Sequence, residues 1–433
     1  MGIFLNSAAP YSLYESEVKK PYFVDKSLML EELFLPAETG NSHICITRPR
    51  RFGKTVMANM VSAFFSRGVD STEIFSKLKI AESTGYKKHL NTHDVIRIDF
   101  SRMPRNCNSY DKYIERIERI LIQDLMEAYP KAGIQEEDAV WDSLDLVYER
   151  YGGQRFIFVF DEWDCIFHKD FTTDEDKKKY ISFLSSLLKD KAYVLLSYMT
   201  GILPIAKYSS GSELNMFAEY TMVSEEKFSD AFGFTEAEVD MLYARFLKNT
   251  GKPLLSRSGL KEWYDGYHAK GGERIYNPRS VVMALTNNNL GNYWTSSGPY
   301  DEIYYYIEKN VAGVRNDLAL MVSGESVDVK VQEYAATSME LTTREEIFSA
   351  MVVYGFLSSE EGKVRIPNRE LMERFDEMLQ KEPSLGYVYR LARESKRMLE
   401  ATLHGDTHVM EQILEYAHNT ETPLLSYNHE IEL

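Results

Sequence analysis

The tripeptide Gly53-Lys54-Thr55 and its surroundings indicate phosphate-binding chemistry. It follows a short apolar run, residues 42–47, and precedes a segment in which apolar side chains recur at helical spacing. A loop between a strand and a helix is the setting that a phosphate-binding loop (P-loop) requires, because its backbone N–H groups and the helix N-terminus surround an anion. We expect Lys54 to reach the β- and γ-phosphates of a nucleotide and Thr55 to ligate Mg²⁺.

The start of this loop departs from the generic P-loop. The generic motif has glycine five residues before Gly53, whereas this sequence has Arg48. Arg48, Arg50 and Arg51 place three cations beside the expected phosphates, where they stabilise transition-state charge or pair with acids elsewhere in the fold. A lone Gly-Lys-Thr tripeptide is also compatible with an ordinary helix start. The residues that we expect to contact the nucleotide are Arg50, Arg51, Phe52, Gly53, Lys54, Thr55 and Val56.

Two acids follow a second apolar run about a hundred residues later. Residues 156–160 read Phe-Ile-Phe-Val-Phe, which predicts a strand buried on both faces, and Asp161-Glu162 come directly after it. We expect Asp161 to hold Mg²⁺, which prefers a few carboxylates together with phosphate and water. Glu162 would orient or deprotonate the attacking water, so Glu162 and Lys54 are the catalytic candidates. The alternative for both acids is a turn or a helix cap, and Asp164 is expected to be a cap or an ion-pair partner.

A further polar residue is expected at the end of the next apolar strand, residues 193–199. Ser197 and Thr200 are the candidates for sensing the γ-phosphate. Small polar residues are common at strand ends, so a purely structural role is an equal alternative for both.

The elements that position these residues alternate between strands and helices. Strand patterns over 42–47, 95–100, 156–160 and 193–199 are separated by helical patterns, two of them between the second and third strands. This order predicts a parallel sheet with helices on both faces, the three-layer α/β/α architecture of P-loop NTPases. We assign residues 1–230 to this domain.

Two further domains are expected after the sheet. Residues 231–335 read as a mostly helical, lid-type domain that opens with a capping box at Thr235 and Glu238. Residues 336–433 read as a winged-helix-like module followed by helices, with a hairpin around residues 360–362. Large aromatic contacts are expected from Trp263, Tyr264, Tyr267, Tyr304, Tyr305 and Tyr306.

Composition limits the class of protein. Formal net charge is −16, so any site for a polyanion must be a local patch, and neither nucleic acid nor an anionic membrane is indicated as a partner. The start of the chain lacks the pattern of a signal peptide, and no run approaches about 18 uncharged apolar residues. Three scattered cysteines without metal-ligand spacing fit a reducing compartment, so we expect a cytoplasmic protein.

A series of motifs along the chain resembles the bacterial AAA-ATPase-like family. The motifs are Tyr22-Phe23-Val24-Asp25-Lys26-Ser27, Arg48-Pro49-Arg50-Arg51-Phe52-Gly53-Lys54-Thr55, Asp161-Glu162, Thr200-Gly201-Ile202, Phe232-Gly233-Phe234-Thr235, Trp263-Tyr264-Asp265-Gly266-Tyr267, Tyr276-Asn277-Pro278, Tyr293-Trp294 and Ser297-Gly298. The resemblance covers residues 5–310 densely and implies ATP binding through Lys54 and Thr55, with Asp161 on the metal side. In that family a PD-(D/E)XK nuclease-like domain commonly follows, and we expect this chain to lack it.

The aromatic motifs leave two roles open. Tyr264, Asp265 and Asn277 either pack the helical domain on the sheet, which we favour, or approach the nucleotide as part of a lid. Asp25-Lys26 either contacts adenine or forms a surface ion pair. The structure decides where these side chains lie.

Three functions remain in competition at this point. The first is a Mg²⁺-dependent ATPase whose nucleotide state changes the angle between the α/β domain and the helical domains. The second is a regulatory module that holds nucleotide without hydrolysing it and contacts a protein partner through the C-terminal helices. The third is DNA association through the hairpin residues Lys363 and Arg365, against which stand neighbouring acids and the net charge.

Overall fold

The structure is a computed structural model of the whole chain. It describes residues 2–205, 213–222, 227–268, 272–294, 313–331, 341–381, 397–399 and 401–419. The sequence predictions for Ser297, Gly298, Tyr304, Tyr305, Tyr306 and residues beyond 419 lie outside this described part.

Strands and helices are numbered here in chain order over the described residues. The strands β1 to β10 are Ser42–Thr47, Asp94–Asp99, Phe156–Asp161, Val194–Gly201, Ala218–Tyr220, Tyr267–His268, Arg274–Ile275, Val327–Asp328, Ser358–Glu360 and Lys363–Arg365. The helices α1 to α15 are Ala9–Val18, Glu31–Thr39, Lys54–Phe65, Thr72–Phe75, Tyr86–His89, Tyr110–Ala128, Val140–Arg150, Asp174–Leu188, Glu236–Asn249, Arg257–Tyr264, Pro278–Asn287, Val314–Val322, Arg344–Tyr354, Arg369–Lys381 and Thr407–Asn419. Short 3₁₀ helices span Ser27–Leu30, Lys79–Glu82 and Cys165–His168.

Strands β1 to β5 form one parallel sheet in the order β2-β3-β4-β1-β5. Side chains that alternate along β3 reach both faces, where separate apolar cores bury them: Phe158 and Phe160 on one side, Ile157 and Val159 on the other. Helices α6 to α8 supply the first core, and α2 and α3 the second. The predicted three-layer α/β/α architecture is therefore confirmed.

The strand order determines which loops can share a site. β4 lies between β1, which leads into the P-loop sequence, and β3, which ends in the two acids. Because the strands are parallel, the carboxyl ends of β1, β3 and β4 meet at one edge of the sheet, where open α/β sheets bind their ligands.

Local sequence signals explain several boundaries. The predicted capping box is present at the start of α9. The Thr235 hydroxyl accepts from the Glu238 N–H, and the Glu238 carboxylate accepts from the Thr235 N–H. Thr343 and Glu346 form a second capping box at the start of α13. Such a cap is worth about 1 kcal/mol.

The predicted hairpin is also present. β9 and β10 pair antiparallel around Glu361 and Gly362, whose φ angles of 50° and 80° match the left-handed residues of a tight hairpin turn. β8 joins on the other side of β10. Helices α12, α13 and α14 pack with this sheet around one apolar core.

The sequence did not predict α1 and α2, which precede the first strand, or the two-residue pair β6 and β7. A separate apolar core joins α9, α10 and α11. The division of the chain into three domains, with boundaries after residues 230 and 335, stays a prediction. Within the described residues, no helix combines the length and the apolar character needed to cross a membrane.

Candidate functional site

The loop between β1 and α3 turns sharply before the helix begins. Arg51 and Gly53 have φ angles of 73° and 89°, so two residues in the left-handed region flank Phe52. Alternation of backbone conformation of this kind makes concave N–H surfaces that bind anions. Helix α3 begins at Lys54 directly after Gly53, so its unpaired N–H groups open into the same place.

Lys54 is buried under this loop. Its side chain is 4% exposed, and its Nζ donates to the carbonyl oxygens of Arg48 at 2.9 Å and Pro49 at 3.0 Å. Burial lowers the pKa of Lys54, and the charges of Glu162 and Asp164 oppose that shift. A lysine ammonium has three donors, so two loop contacts leave one N–H for a ligand.

Asp161 lies at the end of β3 and is 1% exposed. Its Oδ1 accepts from the Thr200 hydroxyl at 2.8 Å, and its Oδ2 lies 3.2 Å from Arg97 Nη2. Burial raises the pKa of Asp161, whereas Arg97 and side-chain hydrogen bonds from Thr200 and Thr55 lower it. The effect of Thr55 on the pKa of Asp161 indicates that the two predicted metal ligands lie near each other.

The residues present fit a magnesium ion. The Thr55 hydroxyl and the Asp161 carboxylate are hard oxygen donors that lie near each other, with Thr55 in the first turn of α3 and Asp161 at the end of β3. Mg²⁺ commonly takes one or two such protein oxygens and completes its octahedron with phosphate oxygens and water.

Glu162 follows Asp161 and turns away from the strand direction. Its φ angle is 54°, and its partly buried side chain borders the cavity described next. Burial raises the pKa of Glu162, and Asp164 and Asp161 add to that rise, while Lys54 and Arg50 oppose it. A carboxylate with a raised pKa is a better proton acceptor near neutral pH.

A cavity of about 740 Å³ opens beside the loop. All of the predicted nucleotide contacts from Arg50 to Val56 line it, together with Glu162. The N-terminal segment and helix α11 form the other walls. The remaining lining residues are Tyr14, Glu17, Lys20, Tyr22, Phe23, Val24, Lys26, Met57, Met60, Ala231, Gly233, Phe234, Pro278, Arg279, Val282 and Met283.

The charge of this cavity is opposite to that of the chain. Six cationic side chains and two acidic ones line it, although the net charge of the protein is −16. Lys26 is held by Glu238 at 2.7 Å, and Lys20 pairs with Glu17. The excess of cations beside an apolar wall suits a ligand with a phosphate end and a flat apolar end.

Two residues of the site were missed from the sequence. Arg279 reaches the cavity from α11 and forms no ion pair with the described residues; an arginine in the first turn of a helix gives no sequence signal of that role. Arg97 forms an ion pair with Asp161. Its position between Ile96 and Ile98 in an apolar strand is a sequence signal that could have indicated a buried partner for its charge.

Other candidates lie elsewhere. Arg48 is buried and donates to backbone carbonyls away from the cavity. Asp164 Oδ2 accepts from the N–H groups of Ile202 and Leu203 at 3.0 and 2.8 Å, so Asp164 fixes the chain after β4. Both proposed sensors, Ser197 and Thr200, are buried in β4 and neither lines the cavity, but Thr200 contacts Asp161.

The three residues considered for a lid do not face this cavity. Tyr264, Asp265 and Asn277 are buried and are not among its lining residues. Asp25 accepts from the N–H groups of Ser27 and Lys79, which is a structural role.

Comparison with known proteins finds a family model that matches the N-terminal part of the chain. Residues 14–210 match the AAA-ATPase-like family model, described as Predicted AAA-ATPase. The predicted resemblance to this family is confirmed over residues 14–210. The chain is 27% identical over 282 residues to an uncharacterized protein in the vnfD 5′ region of Azotobacter chroococcum mcd 1, covering 64% of this chain and 51% of the relative. The chain therefore spans about half the length of this curated relative.

Similar solved structures include the Walker-type ATPase of Pyrococcus abyssi, with a TM-score of 0.46 and 12% identity over 81% of this chain and 94% of that one. The ORC2 protein of Aeropyrum pernix, in complexes with ADPNP and ADP, has a TM-score of 0.38 and 13% identity over 82% of this chain and 93% of that one.

Proposed function

We propose that this chain binds ATP with Mg²⁺ in the cavity beside Lys54, hydrolyses it, and changes conformation with the nucleotide state. The observation that carries the proposal is the meeting of three features at one sheet edge. These are the left-handed turn before α3, the buried Asp161 at the end of β3 near Thr55, and a cationic cavity of about 740 Å³. That volume lies within the range of ligand pockets.

The polyphosphate would lie against the loop. Backbone N–H groups before Thr55 and the free N–H of Lys54 bind its oxygens, while Arg50 and Arg51 border the same space. Thr55 and Asp161 would hold Mg²⁺, which when bound neutralises charge on the β- and γ-phosphates. Glu162 orients a water molecule and accepts its proton as the water attacks the γ-phosphorus, and the bond from that phosphorus to the bridging oxygen breaks to release ADP.

The conformational change follows from the walls of the cavity. One wall is the P-loop of the sheet domain, and another is α11, which brings Arg279 and Val282. A ligand that contacts both walls binds the closed arrangement more tightly than the open one, and only that difference in affinity shifts the equilibrium.

Isothermal titration with MgATP tests binding. The wild-type chain is expected to bind, and Lys54→Ala to lose most of the heat, because a buried cation beside the phosphates is removed. Lys178→Ala is the control, since Lys178 is an exposed lysine on α8, outside the cavity. Equal titration curves for Lys54→Ala and the wild type would remove the proposal.

A phosphate-release assay distinguishes hydrolysis of ATP from binding without hydrolysis. Glu162→Gln keeps the shape of the side chain and is expected to bind MgATP while turnover falls by about 10²-fold or more. Should the wild type bind MgATP and release no phosphate above background, the non-hydrolysing regulatory module becomes the better description. Its protein partner would then be sought at the C-terminal helices.

A further inference from the structure

The side chain of Phe52, a P-loop residue, packs into another part of the protein. Its side chain is 1% exposed and belongs to the apolar core formed by α12, α13, α14 and the neighbouring strands, residues 313–331 and 341–381, here called the C-terminal module. The Phe52 ring meets the Tyr267 ring edge-on, with centroids 5.0 Å apart and planes at 87°. One residue of the phosphate loop is thus anchored in a core about 300 residues away in sequence.

Pro49 makes a second contact with the same module. Gly355, which ends α13 with φ at 84°, approaches it so closely that a Cβ on Gly355 would lie 2.6 Å from Pro49 Cβ. Tyr267 donates its hydroxyl proton to the Gly355 carbonyl at 2.9 Å, so this tyrosine joins both contacts.

The P-loop and the C-terminal module pack tightly against each other. A cavity of only about 30 Å³ separates Thr47 and Pro49 from Val352 and Leu357 of the module. Helix α13 buries the run from Ile347 to Val352 without interruption and is therefore enclosed. The P-loop lies between the nucleotide cavity on one side and this module on the other.

We propose that docking of the C-terminal module positions the P-loop for phosphate, with Tyr267 and Gly355 as positioning residues, so that docking and nucleotide binding are linked. The inference rests on the proposed nucleotide site. The left-handed backbone of Arg51 is strained, and burial of the adjacent Phe52 offsets that strain. Undocking releases that anchor, and the loop loses its binding shape.

Linkage is reciprocal. If docking raises the affinity for nucleotide by some factor, nucleotide favours docking by the same factor. Two independent measurements therefore address one coupling.

The first measurement uses two glycine substitutions in the same module. Gly355→Ala combines a strained φ of 84° with a clash against Pro49, whereas Gly362→Ala has nearly the same strain, φ at 80°, and nothing within 4 Å of the added Cβ. We expect Gly355→Ala to weaken MgATP binding on the order of tenfold. Gly362→Ala should stay within about twofold of the wild type, because it strains the module without moving the loop.

The second measurement is hydrogen exchange of the full chain with and without MgATP. Amides of α13 and β9 are expected to exchange more slowly with nucleotide in the wild type and to show no change in Lys54→Ala. Tyr267→Phe, which keeps the ring and removes the hydrogen bond to Gly355, provides a milder variant should Gly355→Ala fail to fold; a severalfold loss of affinity is expected.

The outcomes separate the two proposals. A wild type that does not bind MgATP overturns the proposed function and this linkage together. A wild type that binds, with unchanged affinity in Gly355→Ala or Tyr267→Phe and unchanged exchange in α13, overturns the linkage alone.

Discussion

Two buried cations of one loop have different partners. Arg48 donates through Nη1 to the carbonyls of Thr47 and Tyr220, both at 2.8 Å, and through Nη2 to Phe228 at 3.3 Å. Within the part of the chain that the structure describes, the Lys54 ammonium donates to carbonyls of its own loop alone, and the side chain lines the cavity. Arg48 therefore ties β1 to the edge strand β5 and the segment after it, whereas Lys54 lies at the proposed nucleotide site.

Replacing Arg48 should affect stability more than binding. Arg48→Lys keeps the charge but loses the planar fork that reaches three carbonyls, so we expect the free energy of unfolding to fall by about 1–3 kcal/mol. Urea unfolding measures it, with Arg50→Lys as the control at a partly exposed loop position. Unchanged unfolding together with lost MgATP binding would show that Arg48 acts on the ligand after all.

At this scale the sequence predicted the local partners and missed the distant ones. Gly53, Lys54 and Thr55 are adjacent, and Asp161 follows an obvious strand, so their meeting follows from parallel strands. The partners of Arg48 lie 172 and 180 residues away, and Arg97 meets Asp161 across 64 residues. No spacing rule reports such contacts.

Among elements, length decided what could be predicted. The four long strands carry runs of apolar residues that no other pattern explains, and the two helices expected between the second and third of these strands are present as α6 and α7. β6, β7 and β8 have two residues each, too few for any periodicity, and exist because neighbouring elements pair with them. The burial of Phe52 in the C-terminal module was equally invisible, since a phenylalanine in a loop indicates only that some core is near.

The P-loop as an element depends on open space at Gly53. A Cβ there would meet nothing within 4 Å, because the position faces the cavity. Gly53→Ala is expected to fold, with a penalty of about 1 kcal/mol for φ at 89°, and to lose MgATP affinity by tenfold or more because the methyl group occupies phosphate space.

Gly152→Ala is the matched control for that prediction. Gly152 has φ at 67°, also with nothing within 4 Å, and it ends α7 outside the cavity. Calorimetric titration and thermal unfolding of both variants separate strain from loss of the site. Equal affinities in the two variants would contradict a phosphate at Gly53.

In the whole molecule, Glu370 connects three parts that lie far apart in sequence. Its carboxylate is 1% exposed and accepts from the N–H groups of Tyr293 at 2.6 Å and Trp294 at 2.7 Å and from the Ser280 hydroxyl. Burial raises the pKa of Glu370 from 4.5 to about 7, against the lowering effect of those hydrogen bonds.

This shift predicts a pH-dependent stability. Between pH 4.5 and about 7 the folded state holds the Glu370 proton more tightly than the unfolded chain does, so stability falls as pH rises through that window, by roughly 1.4 kcal/mol per pH unit at most. Glu370→Gln removes the titration and should flatten this part of the profile. Thermal unfolding midpoints at pH 5, 6, 7 and 8 measure it, and parallel profiles for both proteins would refute the prediction.

Cationic residues of this acidic protein gather at the proposed nucleotide cavity. A net charge of −16 repels polyanions from most of the surface, yet six cations line the one cavity that holds the P-loop, Glu162 and α11 together. The sequence predicted that a polyanion site must be local, but only the fold brought Lys20 and Arg279 to it.

A crystal structure with Mg²⁺ and a non-hydrolysable ATP analogue tests the proposed nucleotide site most directly. We predict density for the triphosphate along residues 50–56, with a phosphate oxygen within hydrogen-bonding distance of Lys54 Nζ and the metal between Thr55 and Asp161. Density for the analogue at another place on the protein, with this loop empty at saturating ligand, would contradict it.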